Sequence, residues 1–228
     1  MKTIGLIGGM SWESTAHYYR VLNIETAARL GGLHSAPLLI HSVDFAPIEA
    51  LQGAGNWDEA GRQLAAIARG LAGAGAEVIG LATNTMHIVA DTITDGLGVP
   101  FIHIADPTSD ALKADGFQRV GLLGTRFTME MGFYRERLEQ AGLEVLVPDV
   151  DRTNLNAIIY EELCRGIVRE PSRQTYIAAI DRLKQRGAEA VILGCTEIAM
   201  LVDDATSPLP VYDTTELHAK ALVEAALG

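Results

Sequence analysis

This chain contains one half of itself twice over, and that repetition limits what it can fold into. Thr3-Ile4-Gly5-Leu6-Ile7-Gly8-Gly9 is echoed by Arg119-Val120-Gly121-Leu122-Leu123-Gly124-Thr125, with 116 residues between Ile4 and Val120. Gly75-Ala76-Glu77-Val78-Ile79-Gly80-Leu81-Ala82-Thr83 is echoed by Gly187-Ala188-Glu189-Ala190-Val191-Ile192-Leu193-Gly194-Cys195, with 112 between Thr83 and Cys195. Val99-Pro100-Phe101 likewise matches Leu209-Pro210-Val211. Each offset is close to half of the 228 residues. Two matching units explain this better than one long sheet.

The apolar runs are short and bounded by glycine, which reads as buried parallel strands rather than helices. Strands are expected at residues 3–7, 37–43, 78–81 and 101–104, and helices from Trp12 to Leu30 and along the Leu64, Ile67, Ala68, Leu71 face. The polar stretch Gln52-Gly53-Ala54-Gly55-Asn56 reads as a connection between elements, and a helix is expected after Thr85. Asp106-Pro107 suits an N-cap and first helical residue. Strands alternating with helices at this pitch give βαβ units. The expectation is therefore an α/β protein of two similar parallel-sheet domains related by a pseudo-twofold repeat, with the active site in the cleft between them. Residues 1–104 plus 211–228 would form the first domain and residues 105–210 the second, the last helix from about Thr215 packing back on the first half.

Composition narrows the class of partner. Apolar residues make up 48%, charged residues 21%, and the net charge is −11, which opposes nucleic acid or an anionic membrane. The N-terminal segment lacks the long apolar core of a signal peptide, and no uninterrupted apolar stretch is long enough to span a bilayer. Only two cysteines, Cys164 and Cys195, argue against a disulfide framework and for a reducing, cytoplasmic setting. The six histidines show no tight cluster, and neither His41-x-x-Asp44 nor His103-x-x-Asp106 has a metal-binding spacing, so no metal is expected. Gly5-x-x-Gly8-Gly9 is not a dinucleotide fingerprint and lacks the lysine of a phosphate loop.

The chemistry concentrates where the repeated strands end. Residues after a parallel strand lie at its carboxyl end, where open α/β sheets bind ligands. Cys195 follows Gly194 there, and Thr83 is its counterpart in the first half. A thiol at that place can meet backbone N–H groups of the next helix and lose its proton more easily; it can also be an ordinary core cysteine. Facing strand ends would set Thr83 and Cys195 on opposite sides of one bound molecule. One group removing a proton from carbon and another returning it from behind is stereoinversion without a cofactor.

At these residues the chain resembles a known family. Gly5-Leu6-Ile7-Gly8-Gly9-Met10-Ser11, Thr83-Asn84-Thr85 and Gly194-Cys195-Thr196-Glu197-Ile198 are similar to motifs of the aspartate/glutamate racemase family, in its broad-specificity or L-aspartate/glutamate-specific branch. Ser42-Val43-Asp44-Phe45 and His103-Ile104-Ala105-Asp106 extend the resemblance over essentially the whole chain. It implies a pyridoxal-independent amino-acid racemase that uses no cofactor, acts on a small amino-acid substrate and assembles as a homodimer. The family's usual pattern is Cys-Asn-Thr in the first half and Cys-Thr-Glu in the second; here Thr83 replaces the first cysteine.

That departure makes the two walls unequal. A threonine hydroxyl is too weakly acidic to be a resting base, so Cys195, as thiolate, is the expected base. Thr83 is a donor, a relay to water, or a substrate contact. Charge developing on the substrate carboxylate needs preorganised donors, for which Asn84, Thr85, Thr125 and Thr196 are the candidates. Met10 and Gln52 match substrate-pocket positions of the family, Gln52 standing where relatives carry an arginine for a side-chain carboxylate. Arg165 is the alternative cation, and Glu197 is either a helix N-terminal charge or a modulator of Cys195. Cys164 lies in a helical pattern with Ile158, Ile159 and Leu163 and reads as structural. Other readings of the single cysteine are a decarboxylase or cis–trans isomerase on the same scaffold, or a non-catalytic amino-acid-binding relative.

Overall fold

A computed structural model describes residues 1–228. The chain divides into two compact units, Met1–Ile104 with His218–Gly228, and Ala105–Leu217. Each is a parallel sheet with helices, as the strand–helix alternation predicts.

In the first unit β1 (Ile4–Gly8) is central, flanked by β2 (Leu38–Ser42) and β3 (Val78–Leu81), all parallel. Side chains alternate across a strand, and here the alternation builds two cores. Ile4 and Leu6 pack with Tyr18 and Leu22 of α1 (Trp12–Leu30). Ile7, Ile79 and Leu81 pack with Leu64, Ala68 and Leu71 of α3 (Trp57–Gly73). Between them lies α2 (Phe45–Gly53), capped by Asp44, where the sequence suggests a connection. Its glycine-rich end conceals a two-turn helix, and Gln52 sits in its last turn.

The expected strand at residues 101–104 reduces to one bridge, Ile79 to Phe101. A 3-10 helix, Thr85–Val89, follows β3 and runs into the short α4 (Ala90–Thr94), in place of one continuous helix. The second unit opens with α5 (Ala105–Ala114), which begins before Asp106; the Asp106 carboxylate pairs with Arg137 at 2.5 and 2.9 Å.

Four parallel strands follow in the order β5-β4-β6-β7: β4 (Arg119–Gly124), β5 (Glu144–Leu146), β6 (Ala190–Gly194) and β7 (Val211–Asp213). The helices are α6 (Arg126–Glu130), α7 (Gly132–Gln140), α8 (Arg152–Glu161) and α9 (Glu170–Gln185). Leu123, Val191 and Leu193 form the core with Leu155 and Ile159 of α8 and with Tyr176 and Ile180 of α9. At the top of this sheet two backbones approach closely. A Cβ on Gly194 would lie 2.8 Å from the Leu123 carbonyl oxygen, so no larger residue fits there.

Residues 211–217, expected with the first domain, stand in the second unit. β7 pairs with β6, and the Thr214 hydroxyl donates to the Leu193 carbonyl at 2.8 Å. The last helix, α10 (Thr214–Leu227), starts there, and from His218 onward belongs to the first unit. Its Ala219, Leu222 and Val223 complete the core around Ile4 and Leu6. Leu222 rests on Gly80, where an added Cβ would come within 2.6 Å of it. No helix is long and apolar enough to cross a membrane.

Burying one leucine contributes about 1.5–3 kcal/mol, and its removal here also leaves a void over Gly80. Leu222→Ala is expected to destabilise the protein by roughly 2–5 kcal/mol. A urea midpoint that shifts little would show that α10 does not anchor this core.

Candidate functional site

Both units build the same turn after the central strand. In the first, Ser11 caps α1 by accepting from the Ser14 N–H at 3.3 Å, and the Thr15 hydroxyl oxygen accepts from the Gly9 N–H at 2.7 Å. Gly9 has φ +96, and a Cβ there would strike the Val43 carbonyl at 2.2 Å, so glycine is required. In the second, Thr125 caps α6 by accepting from the Thr128 N–H at 3.3 Å. Ser11 and Thr125 are both buried and play the same capping role.

The neighbouring strands deliver the chemical groups. In the first unit, Thr83, Asn84 and Thr85 follow β3 and are all buried. Met10 and Met86 share a core cluster, and Gln52 Nε2 lies 3.0 Å from Met86 Sδ. Gln52 Oε1 is buried without a hydrogen-bond partner. An unsatisfied buried acceptor costs about 1–3 kcal/mol, so this carbonyl is poised for a donor. Gln52 thus lies against Met86, a member of the core cluster that contains Met10 and a residue the sequence places only on a helix face.

In the second unit, Cys195 follows β6 directly and Thr196 begins a 3-10 helix, Thr196–Met200. The buried Glu197 organises this turn. Its Oε2 accepts from Cys195 Sγ at 3.0 Å and from Thr196 Oγ1 at 2.6 Å, while Oε1 accepts from Cys164 Sγ at 3.8 Å. Glu197 is therefore in direct contact with the thiol. Cys164, which the sequence assigns to structure, belongs to the same polar group. Arg165, on the 3-10 turn Leu163–Arg165, is exposed to solvent.

The protonation state of Cys195 needs correction. A five-residue 3-10 turn follows Cys195, and the Glu197 backbone N–H still favours the thiolate, but burial and a carboxylate against the sulfur outweigh it. Burial first, and the nearby Glu197 charge second, push the thiol well above 9.0. Burial and Glu197 raise Cys164 as well. At rest Cys195 is a thiol donating to Glu197, not a free thiolate.

The histidines also differ from expectation, since three of the six gather in the first unit. The ring centroids of His87 and His103 are 4.5 Å apart, and those of His87 and His218 are 5.9 Å apart. His218 bonds the Tyr18 hydroxyl and the Ile102 carbonyl, each at 2.8 Å. His87 bonds the Thr83 carbonyl at 2.8 Å. Burial, followed by His103 and His218, holds the His87 pKa well below 6.5. These rings come from segments far apart in sequence, so no local spacing signals them.

Comparison with known proteins agrees with this architecture. The family model described as Asp/Glu/Hydantoin racemase matches residues 7–222. A solved structure from Yersinia pestis, provisionally assigned as an Asp/Glu racemase, is 53% identical, covers 100% of both chains and superposes with a TM-score of 0.93. An aspartate racemase homologue from Pyrococcus horikoshii OT3 is 35% identical over 100% of both chains, with a TM-score of 0.85. The broad specificity amino-acid racemase of Bacillus subtilis is 26% identical over 159 residues, 68% of this chain and 66% of the relative. The aligned part thus spans just under two thirds of that curated relative.

Two measurements probe these ionisations. In a Cys164→Ser background, thiolate ultraviolet absorbance is expected to show Cys195 titrating above 9.0, and Glu197→Gln is expected to lower that midpoint by removing the neighbouring negative charge. An unchanged midpoint would remove Glu197 as the modulator. For His87, the unfolded chain takes up a proton below 6.5 while the folded ring stays neutral. Stability is therefore expected to fall as pH drops below that value, by up to about 1.4 kcal/mol per pH unit for this group. A urea midpoint that stays flat through that window contradicts the neutral buried ring.

Proposed function

Because the chain belongs to the Asp/Glu/hydantoin racemase family, we propose that it is a cofactor-independent amino-acid racemase, with Cys195 as the base and Thr83 serving the opposite face of Cα. The observation that carries this reading is the thiol of Cys195 at a strand end, 3.0 Å from the Glu197 carboxylate.

Chemistry begins with a thiol, so activation must accompany binding. A zwitterionic substrate brings an α-ammonium group, and a positive charge nearby favours the thiolate. The Cys195 proton passes to Glu197, and the thiolate then takes the hydrogen from Cα. The electron pair left on carbon spreads into the α-carboxylate. Asn84, Thr85, Thr125 and Thr196 are the donors proposed for that charge, each such contact being worth roughly 3–4 kcal/mol when lost. The Thr83 hydroxyl is proposed to work through a bound water rather than to ionise itself. A water held by its hydroxyl protonates the other face. The resulting hydroxide and the surplus proton on the Cys195–Glu197 pair recombine through solvent.

Gln52 bears on substrate choice. Its unpartnered Oε1 is an acceptor, which suits a side chain carrying a donor better than a second carboxylate. Arg165 remains the proposed cation for a dicarboxylate. The substrate range therefore extends to neutral amino acids beside aspartate and glutamate.

The test is exchange of the α-hydrogen in deuterium oxide, measured on both enantiomers of aspartate, glutamate and a neutral panel. Exchange is expected, with Cys195→Ser lowering it by roughly 10²–10⁴-fold. From the enantiomer whose α-hydrogen meets Cys195, exchange is expected to outrun inversion. Carbon dioxide release from a malonate without exchange would assign a decarboxylase instead. Amino-acid binding without exchange, unchanged in Cys195→Ser, would leave a binding protein.

A further inference from the structure

One buried, nitrogen-bearing side chain beside the first strand end has no part in the chemistry above. His87 is 2% exposed and lies on the 3-10 turn that follows Thr83-Asn84. Its Nδ1 is 2.8 Å from the Thr83 carbonyl oxygen, and its Nε2 is 3.2 Å from the Ile104 backbone nitrogen. A carbonyl only accepts, so Nδ1 carries the hydrogen. A backbone N–H only donates, so Nε2 is bare. Together the two bonds specify one neutral tautomer. The edge of His103, with its centroid 4.5 Å away, and the tethered His218 hold the ring from the sides.

This bond fixes more than the carbonyl. The Thr83–Asn84 peptide is trans, and in a planar trans peptide the C=O and N–H point in opposite directions. Tying the Thr83 oxygen inward to His87 therefore turns the Asn84 N–H outward. We propose that His87 is a positioning residue, its Nδ1–H clamping the Thr83 carbonyl so that the Asn84 N–H is aimed at the α-carboxylate of a bound amino acid. The proposal rests on the racemase reading and deepens it by naming what preorganises the carboxylate donor.

The repeat supplies an internal comparison. The position 112 residues after His87 is Ala199, which cannot make such a bond. There the turn is organised by Glu197, whose oxygens take the Cys195 thiol and the Thr196 hydroxyl. Each unit has its own buried organiser. One acts on the proton of the thiol, the other on a peptide plane.

Two variants separate positioning from mere packing. His87→Leu fills the space and removes the donor. His87→Asn puts an amide N–H where Nδ1 was. The kcat for α-hydrogen exchange, corrected for folded fraction by urea titration, is expected to fall roughly 10²–10³-fold in His87→Leu and to recover largely in His87→Asn. A His87→Leu enzyme with unaltered kcat per folded molecule, or a His87→Asn enzyme no better than it, overturns the proposal. A second readout does not need turnover. Nitrogen NMR is expected to show the Nδ1–H tautomer, and the Asn84 amide resonance is expected to shift on titration with aspartate in the wild type but not in His87→Leu. The Nε2–H tautomer, or an Asn84 amide indifferent to aspartate, overturns it. Absence of α-hydrogen exchange in the wild type, with the NMR outcome as expected, would sink the racemase reading and leave the clamp standing.

Discussion

The register of one strand pair in each sheet decides where everything else in this protein stands. In the second unit β4 pairs with β6 through Gly124 and Gly194, so the residues that follow, Thr125 and Cys195, leave the sheet side by side. In the first unit β1 pairs with β3 as far as Ile7 and Leu81, and the Ala82 N–H still reaches the Ile7 carbonyl at 2.8 Å. Gly9 and Thr83 then leave together. A register slip of one residue would turn every side chain of a strand to the other face. It would exchange the core residues Ile4 and Leu6 for Ile7 and carry Thr83 out of its turn. The apolar cores on both faces of the first sheet therefore hold the candidate site in place from a distance.

What was legible in the sequence follows from what is local. The alternating strands, the glycines at their ends and the equivalence of Thr83 with Cys195 all rest on periodicity and repetition, and the two parallel sheets have the expected form. Features that depend on distant partners were not legible. β7 looks like the start of a return to the first half until its pairing with β6 is known. The α2 helix was hidden because Gly53 and Gly55 at its end resemble a loop, although Asp44 provides an ordinary cap. His87, His103 and His218 form a group only because three separate segments converge. The protonation of Cys195 is not legible for a similar reason. Thiol acidity follows burial and neighbouring charge, and neither is written in the Gly-Cys-Thr-Glu string.

The two halves keep the same scaffold and divide the chemistry. Ser11 and Thr125 make the same cap, and Tyr18 and Tyr134 fill equivalent places with no exposure. The candidate chemical groups differ most in the residues after the second repeated strand. Thr85 corresponds to Glu197, and His87 to Ala199. The half with the thiol also has the carboxylate that the thiol bonds. The half that lost the thiol has a neutral imidazole that grips the backbone and leaves the Thr83 hydroxyl alone. A histidine serving as the missing base would be bonded to that hydroxyl. Bonded to the carbonyl, it can only set geometry.

For the racemase proposed above, unequal groups at the two strand ends would not permit unequal overall efficiency. Enantiomers have the same free energy in an achiral solvent, so the equilibrium between them is even, and kcat/KM must be the same from either side. The asymmetry between Cys195 and Thr83 has to appear elsewhere. It can appear in kcat and KM separately, with the tighter-bound enantiomer turned over more slowly. It can also appear in the fate of the intermediate. In the proposed mechanism, a carbanion formed by Cys195 would face a thiol that can return a proton at once, while the opposite face would wait for a water molecule held by a hydroxyl. Return to the starting enantiomer then competes well with inversion. In that mechanism, an enzyme with two thiols would commit the intermediate more evenly than one with a threonine at this position.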